Sequence, residues 1–426
     1  MKYYLDNFRG FQDTYVELKD VNFLVGENSS GKTSLISALT IMSYYRFWTE
    51  AVITDEIEFK SFGDLHSVNA TRDYFTLGSI NDDNTVHVYS FSNDDGLATG
   101  FREIIYTDDH KLYIAKRKSR TVLCHFNNSF IVNADNKLLS DLLDHADSID
   151  KKNEWGFDAS DFSIDMPSPF YAIRTFLQSG KKNSFPADFF TKPGVDTASI
   201  GNSIFLAPIR AKPQAIYSGG KKDFSTEGSH IPFMIKDVLF DRNRYPAYIK
   251  KMLDDYGKES GLFDSLDVKR FGNDKTDPFE LLIKKGESNY KISIVGYGVS
   301  QILPIIMEML QSKNGLFSIQ QPEVHLHPKA QSAFGGFLYQ VARHEKGTIT
   351  VVVETHSDYI IDRFRYRMKE SDNKVPAQIL FFRNNGKHNI ITSIKIQDDG
   401  KYDTNSEALE DFRSFFIDES FRLMEI

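Results

Sequence analysis

The sequence predicts an α/β protein in which a parallel sheet with flanking helices is combined with a lobe of antiparallel strands. Three observations predict this fold class. An apolar run at residues 21–25 precedes a glycine-rich turn and a helical pattern over 33–45. From residue 316 onward, apolar runs alternate with helical patterns, as in sheets whose two faces are both covered. Residues 74–132 contain short segments of alternating polar and apolar residues, which are typical of antiparallel strands.

The individual elements follow from the same patterns. Residues 1–18 alternate and predict an edge hairpin that leads into the run at 21–25. Residues 86–91 and 111–116 alternate in the same way, and residues 204–210 predict a buried strand that ends in a basic turn. Towards the end of the chain we expect strands at 316–319, 348–353, 379–382 and 390–396, and helices at 330–341 and 357–368.

Composition limits the classes of protein that are compatible with the chain. A length of 426 residues exceeds what one simple core holds, so two or three lobes are expected. The single cysteine, Cys124, excludes an internal disulfide framework and a cysteine metal cluster. No apolar run is long enough to span a bilayer and the start lacks a signal-peptide core, which predicts a cytoplasmic protein. The formal net charge of −8 argues against a surface that is basic all round.

The glycine-rich turn matches G-x-x-x-x-G-K-[ST], the phosphate-binding P-loop, between a predicted strand and a predicted helix. Gly26 and Gly31 allow the backbone to turn so that successive N–H groups face an anion. Lys32 can reach the β- and γ-phosphates, and the hydroxyl of Thr33 can bind Mg²⁺. The residues predicted to bind the nucleotide are Gly26, Glu27, Asn28, Ser29, Ser30, Gly31, Lys32, Thr33 and Ser34.

A second helix start could also face phosphate. Residues 296–305 form a glycine-rich turn that opens a helix, with Gly298, Ser300 and Gln301 near its first turn. Such a turn is explained if it serves the nucleotide of another subunit. The motif alone favours the alternative, an ordinary capped helix that follows a hairpin.

Polar residues follow two of the predicted buried strands. The segment Q-Q-P-E begins at Gln320, where a P-loop ATPase places its metal-side and catalytic acids. The segment E-T-H-S contains His356, which can contact a γ-phosphate and orient water. The predicted catalytic residues are Gln320, Gln321, Glu323 and His356, and the predicted metal ligands are Thr33 and Gln320. A metal site at His325 and His327 is an alternative, but two histidines are an incomplete ligand set.

Together these motifs resemble the ABC-type ATPases of the RecF, SMC and OLD group. They are most similar to bacterial ATPases with G-x-G-x-S-Q-x-L-P, E-Q-P-E-x-H-L-H-P and E-T-H-S signatures, among them OLD-like and Septu-type subunits of anti-phage defence. Residues 205–217 are similar to the P-x-R-x-x-P-x-x-x-Y segment of that family. The resemblance implies an ABC-type P-loop ATPase head with an inserted, partly helical region. The expected segments are an N-terminal lobe at 1–132, the inserted region at 133–280 and a C-terminal lobe at 281–426.

The resemblance also implies how such a chain works. Two ATP molecules with Mg²⁺ would be sandwiched in a head-to-tail homodimer or a higher even oligomer, with His356 as the switch histidine. About seventy residues follow His356, too few for the nuclease domain of an OLD enzyme. Effector chemistry, with a nuclease as one candidate, is therefore expected on a partner chain in a phage-defence complex. The second reading is a RecF-like DNA-binding repair ATPase that acts without an effector.

One residue departs from the family pattern. Gln320 stands where the family usually has an acid, and an amide lacks the charge that offsets Mg²⁺ and orients water. We therefore expect ATP binding to be kept and hydrolysis to be slow, whether Gln320 is natural or an engineered trap. Glu323 or Glu354 could supply a substitute carboxylate. We expect Gln320→Glu to raise ATP turnover by about tenfold or more.

Basic residues form two groups in the sequence, and each is open to two interpretations. Contact with DNA phosphates is one, and an ordinary solvated face is the other. The first group is Lys111, Lys116, Arg117, Lys118 and Arg120, and the second is Arg210, Lys212, Lys221 and Lys222.

Overall fold

The computed structural model describes most of the chain. The described residues are 1–43, 61–81, 85–107, 112–118, 121–127, 138–148, 155–158, 203–220, 223–240, 247–311, 314–344, 349–406 and 408–415. The chain folds into two compact units, and each unit is made of three segments that alternate along the sequence. The first comprises Met1–Leu18, Ser34–Ile200 and Arg383–Ile391, and the second comprises Lys19–Thr33, Gly201–Phe382 and Thr392–Ile426. The segment boundaries expected after residues 132 and 280 stay predictions.

Strands and helices in the described ranges are numbered in chain order. The strands are β1 (Lys2–Asp6), β2 (Thr14–Glu17), β3 (Val21–Gly26), β4 (Phe75–Ile80), β5 (Val86–Asp94), β6 (Leu97–Tyr106), β7 (Leu112–Lys118), β8 (Thr121–Asn127), β9 (Trp155–Asp158), β10 (Ser203–Leu206), β11 (Ser265–Arg270), β12 (Phe279–Lys285), β13 (Ser288–Lys291), β14 (Gly315–Gln320), β15 (Ile349–Glu354), β16 (Ala377–Asn384) and β17 (Asn389–Ile396). The helices are α1 (Lys32–Ser43), α2 (Phe62–Leu65), α3 (Leu138–Ser148), α4 (Ile231–Phe240), α5 (Ala247–Ser260), α6 (Tyr297–Gln311), α7 (Pro328–His344) and α8 (Asp358–Glu370).

The first unit is built on an eight-stranded sheet with the order β2-β1-β4-β5-β6-β7-β8-β9. Each pair of neighbours in this sheet runs antiparallel. The predicted hairpin over residues 1–18 is confirmed, because Lys2 pairs with Glu17 and β2 lies at the sheet edge. The run of antiparallel strands predicted from the alternating segments is confirmed as well.

Helix α3 packs on this sheet through its leucines. Leu139, Leu142 and Leu143 are buried in one cluster with apolar side chains of β1, β5, β6 and β7. Charged groups fix the helix at the side of that cluster. Arg72 pairs with Asp6 of β1 at 2.8 Å and with Asp144 of α3 at 2.6 Å. The helix is therefore held by apolar burial and by ion pairs together.

The P-loop strand belongs to a six-stranded sheet with the order β10-β14-β15-β3-β16-β17. Its pairs β10–β14, β14–β15, β15–β3 and β3–β16 run parallel. Strand β3 lies inside the sheet and its side chains are fully buried, which agrees with its continuous apolar sequence. The carboxyl ends of β14, β15 and β3 consequently meet at one edge. The predicted α/β class, with an antiparallel lobe and a parallel sheet, is confirmed.

The acidic turn at residues 397–401 closes a small hairpin. Ile396 pairs with Tyr402, and the N–H of Gln397 donates to the carbonyl of Lys401 at 2.7 Å. Membrane-spanning helices were sought among the described residues. None of the helices there is both long enough and apolar enough to cross a bilayer.

We expect Leu142→Ala to lower the free energy of unfolding by about 2–5 kcal/mol, because Leu142 is fully buried against the sheet and its loss leaves a cavity. Urea denaturation followed by circular dichroism measures the change. Leu97→Ala is the control, since Leu97 is 39% exposed. Equal losses in the two variants would contradict the packing of α3 on the sheet.

Candidate nucleotide-binding site

The P-loop connects β3, which ends at Gly26, to α1, which begins at Lys32. The loop turns through left-handed backbone at Gly26 (φ 145°), Ser29 (φ 61°) and Gly31 (φ 103°). Residues in this conformation, next to ordinary right-handed ones, point successive N–H groups into one concavity that suits an anion. The strand, turn and helix predicted from the motif are therefore present.

Position 26 requires glycine for two reasons: its backbone conformation, and the lack of room for a side chain. A Cβ atom placed there would lie 2.2 Å from the carbonyl oxygen of Phe382, on the neighbouring strand β16. Real Cβ atoms do not approach backbone that closely. Glycine is thus the residue that lets β3 turn into the loop beside β16.

The side chain of Lys32 folds back over its own loop. Its ammonium group donates to the carbonyls of Gly26 at 2.7 Å and Glu27 at 2.6 Å. Burial lowers the pKa of Lys32, while the nearby carboxylates of Glu354 and Glu27 act in the opposite direction. The cation is held by dipoles of the loop at the point where a phosphate would bind.

The other predicted P-loop residues differ in their surroundings. Glu27, Asn28 and Ser29 are exposed, whereas Ser30 is buried and its hydroxyl donates to the carbonyl of Glu27 at 2.7 Å. Ser34 belongs to the first unit, where it accepts a hydrogen bond from Nε of Arg9 at 3.0 Å.

Strand register brings three separated residues to one edge of the sheet. Gln320 of β14 pairs with Glu354 of β15, and Glu354 pairs with Leu24 of β3. The hydroxyl of Thr33 lies 3.2 Å and 3.4 Å from the two carboxylate oxygens of Glu354. The side-chain amide of Gln320 donates to Glu354 Oε2 at 3.1 Å.

The donor atoms at this edge fit Mg²⁺. A hydroxyl, a carboxylate and an amide oxygen are hard oxygen ligands, and Mg²⁺ in nucleotide sites takes one or two carboxylates together with phosphate and water. Within the described ranges, no group of three or more His, Cys, Asp or Glu side chains is arranged to hold a metal ion.

Glu323 fixes the segment that carries the predicted switch histidine. Its carboxylate accepts from the Thr355 hydroxyl at 2.8 Å and from the backbone N–H of His356 at 2.7 Å. The His356 side chain is exposed and lies near the ring of Phe415, with 6.4 Å between ring centroids. Gln321 has left-handed backbone (φ 42°), and its N–H donates to the carbonyl of Glu354 at 2.8 Å.

An open cleft of about 480 Å³ lies beside the P-loop. P-loop residues, the second glutamine of the Q-Q-P-E segment and the predicted switch histidine line it together. The lining residues are Gly26, Glu27, Asn28, Gln321, His356 and Phe415.

The second helix start is where the sequence predicts it, at the beginning of α6. The hydroxyl of Ser300 donates to the carbonyl of Tyr297 at 2.8 Å. The amide of Gln301 exchanges two hydrogen bonds with the backbone of Arg210, at 3.3 Å and 3.4 Å. A Cβ atom at Gly298 would lie 2.9 Å from the carbonyl oxygen of His325. Contact of Gly298, Ser300 and Gln301 with another subunit's nucleotide stays a prediction.

Arg210 has a structural position that sequence reasoning missed. It is only 2% exposed, so its interpretation as part of a solvated face was wrong. Its guanidinium donates to the backbone carbonyl of Gln320 at 3.1 Å, and burial lowers its pKa to about 10 against the opposing charge of Glu323. The sequence feature that could have indicated this burial is the position of Arg210 directly after an apolar strand. Lys221 and Lys222 lie outside the described residues.

The two histidines of the H-L-H segment have separate surroundings. His325 has left-handed backbone (φ 64°), and its ring lies 5.9 Å from that of Tyr297. His327 Nδ1 accepts a hydrogen bond from the N–H of Ala330 at 3.3 Å, in the first turn of α7. This contact gives His327 a capping role at the helix start.

Residues 1–169 and 211–361 match the model of a protein family described as the AAA ATPase domain, and the chain belongs to that family. Among curated proteins, it is 40% identical over 58 residues to the DNA replication and repair protein RecF of Chlamydia abortus and of Chlamydia caviae. These matches cover 13% of this chain and 16% of each relative, so they span only about a sixth of the relatives' length. The family and the P-loop confirm that the chain is a P-loop ATPase, and the observed sheets confirm the predicted α/β fold class.

Solved structures with partial similarity include heads of SMC proteins. One is an SMC head bound to the C-winged helix domain of ScpA, at 12% identity and TM-score 0.42, covering 93% of this chain and 97% of that chain. Another is the Pyrococcus furiosus SMC head with an extended coiled coil, bound to the C-terminal domain of ScpA. It has 11% identity and TM-score 0.41, covering 97% of this chain and 98% of that chain.

We expect Glu323→Gln to lower the free energy of unfolding by about 1–3 kcal/mol, because an amide cannot accept from both Thr355 and His356 as the carboxylate does. Urea denaturation measures the loss. Glu410→Gln serves as control, because the Glu410 side chain is 85% exposed. If both variants unfold at the wild-type urea concentration, Glu323 does not hold the His356 segment.

Proposed function

We propose that this chain binds ATP with Mg²⁺ and acts as an ATP-gated, dimerising ATPase. The observation that carries the proposal is the contact of Thr33, Glu354 and Gln320 at one sheet edge, next to a P-loop that lines an open cleft together with His356. These groups supply a cation for phosphate, oxygen ligands for a metal and a histidine at the open side. The cleft volume of about 480 Å³ lies in the usual range of ligand pockets.

Lys32 and the start of α1 bind the triphosphate in this account. The Lys32 ammonium group now donates to two loop carbonyls, and a phosphate oxygen is a stronger acceptor because it carries charge. The partial positive charge at the start of α1 adds to this attraction. When bound, Mg²⁺ would neutralise phosphate charge, with Thr33 and the strand-end residues holding it.

Hydrolysis in this account is slow. Gln320 and Gln321 are amides at the positions where this class of site uses acids, so neither can accept a proton from the attacking water. His356 lines the cleft and can orient that water through its ring. A site that binds ATP firmly and cleaves it slowly acts as a switch whose state is set by nucleotide binding.

Dimerisation would use the start of α6. Tyr297 is 53% exposed and Ile294 is 72% exposed just before the Ser300 and Gln301 turn. Exposed aromatic and aliphatic side chains beside a phosphate-facing helix start suit a nucleotide-dependent interface. Gly298, Ser300 and Gln301 of one subunit would then face the P-loop of the other.

We further propose that the dimer is the sensor or scaffold of an anti-phage defence complex, whose effector is a separate chain. The support is the resemblance of three segments to OLD-like and Septu-type subunits. These segments are the start of α6, the Q-Q-P-E segment after β14 and the E-T-H-S segment after β15. Native mass spectrometry of the tagged chain, purified from its own host with ATP and Mg²⁺, tests this proposal. A stable complex with a second protein is expected, and a bare dimer would contradict it.

The 58-residue similarity to RecF favours a second candidate, a DNA-binding repair ATPase that needs no effector. Side chains of the first basic group are described only in part, and Lys116 donates to the carbonyl of Ala146 at 2.6 Å. A gel shift of duplex DNA with the isolated protein distinguishes the two candidates. ATP-dependent DNA binding without a partner protein would favour the repair function.

We expect Lys32→Ala to weaken ATP binding by at least about tenfold while the protein stays folded, because the variant loses the cation that faces the phosphates. The increase in Tm on adding ATP and Mg²⁺ measures binding. Lys401→Ala is the control, because Lys401 is 78% exposed on a distant turn. An unchanged increase in Tm for Lys32→Ala would contradict the nucleotide site.

We expect Tyr297→Asp to raise the dissociation constant of the ATP-bound dimer by at least about tenfold, because it places a charge in an apolar contact. Analytical ultracentrifugation with ATP and Mg²⁺ measures the dimer, and the increase in Tm confirms that nucleotide still binds. Tyr366→Asp on α8, where Tyr366 is 50% exposed, is the control. Identical dimer constants for all three proteins would show that the α6 start is not the interface.

A further inference from the structure

We propose that Glu354 supplies the carboxylate that binds the nucleotide-bound Mg²⁺, and that Gln320 orients this carboxylate through its amide. The metal-binding acid thereby lies on β15, and the amide that orients it lies on β14. This inference rests on the proposed function, because it names a ligand of the metal that accompanies ATP.

The first support is the distance to Thr33. In P-loop proteins, the hydroxyl at this position of the motif binds Mg²⁺. Here that hydroxyl lies 3.2 Å from one carboxylate oxygen of Glu354 and 3.4 Å from the other. A cation bound by Thr33 would therefore lie within reach of Glu354 without any rearrangement of the backbone.

The second support is the order of the strands. Strand β15 pairs directly with the P-loop strand β3, whereas β14 lies one strand farther away. Neighbouring strands are about 4.8 Å apart. A carboxylate at position 354 is thus one strand spacing closer to the P-loop than a carboxylate at position 320 would be.

The third support is the hydrogen bond between the two side chains. Gln320 Nε2 donates to Glu354 Oε2 at 3.1 Å, and the two residues are only 7% and 5% exposed. A neutral N–H donor fixes the carboxylate and leaves its negative charge for a cation. Two carboxylates at this separation would repel each other, and one of them would tend to take up a proton.

The other candidate acid is engaged elsewhere. Glu323 accepts from the hydroxyl of Thr355 and the N–H of His356. These two bonds position the histidine segment and occupy both carboxylate oxygens. Glu354 is therefore the carboxylate that faces the P-loop threonine.

Assigning the metal-binding carboxylate to Glu354 changes the effect expected of the Gln320→Glu substitution on ATP turnover. Gln320→Glu does not restore a missing metal ligand but adds a second carboxylate beside an existing one. The tenfold gain in turnover expected from the sequence does not follow. The slow hydrolysis is then a consequence of Gln321, which lines the cleft as an amide.

Isothermal titration of ATPγS into the purified full chain, once with Mg²⁺ and once with EDTA, tests the proposal. Wild-type protein should bind at least about tenfold more tightly with Mg²⁺. Glu354→Gln should lose this enhancement and keep its metal-free affinity within about threefold, because the substitution removes charge without changing size. Glu280→Gln is the matched control, since Glu280 is equally buried (5% exposed) in the same unit but pairs with Lys291.

The exchanged double variant makes the test specific. Q320E/E354Q keeps one carboxylate in the same hydrogen-bonded pair but moves it one strand farther from the P-loop, so it should stay without the Mg²⁺ enhancement, as Glu354→Gln does. An enhancement that survives in Glu354→Gln, or one that the double variant recovers in full, would overturn the proposal. Nucleotide that fails to bind wild-type protein under either condition would instead overturn the proposed function.

Mn²⁺ gives a second readout that does not depend on affinity for the nucleotide. With ATPγS present at saturation, the line shape of the electron paramagnetic resonance spectrum reports the fraction of Mn²⁺ that is held on the protein, as distinct from Mn²⁺ bound to nucleotide in solution. Glu354→Gln should lower this fraction by at least about fivefold, and Glu280→Gln should leave it unchanged. Equal fractions in wild type and Glu354→Gln would contradict a carboxylate ligand at position 354.

Discussion

Hydrogen bonds at the carboxyl ends of three parallel strands determine the candidate site. Thr33, Glu354 and Gln320 form one line of contacts because β3, β15 and β14 are paired in a fixed register. A slip of one residue in β15 would turn Glu354 to the opposite face of the sheet. The buried apolar side chains of these strands prevent such a slip, since they would lose their core contacts. The chemistry at the edge therefore depends on packing in the sheet.

Arg210 joins the two segments that the proposed mechanism needs to coordinate. Its backbone holds the amide of Gln301 at the start of α6, and its guanidinium donates to the backbone of Gln320 at the end of β14. Burial of a guanidinium costs free energy, which is why its pKa is lowered. A displacement of the α6 start must therefore move Arg210 or break its bonds. The α6 start and the end of β14 are thus structurally connected through Arg210.

Parts of the site that are formed by one continuous stretch of chain were predictable from the sequence. Parts that depend on how the strands pair were not. The P-loop, its strand and its helix form one stretch of chain, so spacing alone predicts their geometry. The choice between Glu323 and Glu354 depends on how β14 pairs with β15, which no local pattern encodes. Arg210 precedes Lys212, Lys221 and Lys222 in a polar stretch, so it resembled a solvated residue. Its burial follows from tertiary contacts with Gln301 and Gln320.

A crystal structure of the full chain with ATPγS and Mg²⁺ is the sharpest test of the proposed site. We expect the terminal phosphates beside the Lys32 ammonium group, in the concavity of the P-loop. We also expect Mg²⁺ about 2.1 Å from the Thr33 hydroxyl and from one carboxylate oxygen of Glu354. Nucleotide bound away from the P-loop would contradict the site. Metal bound with Glu354 turned away from it would contradict the assignment of Glu354 as the metal-binding carboxylate.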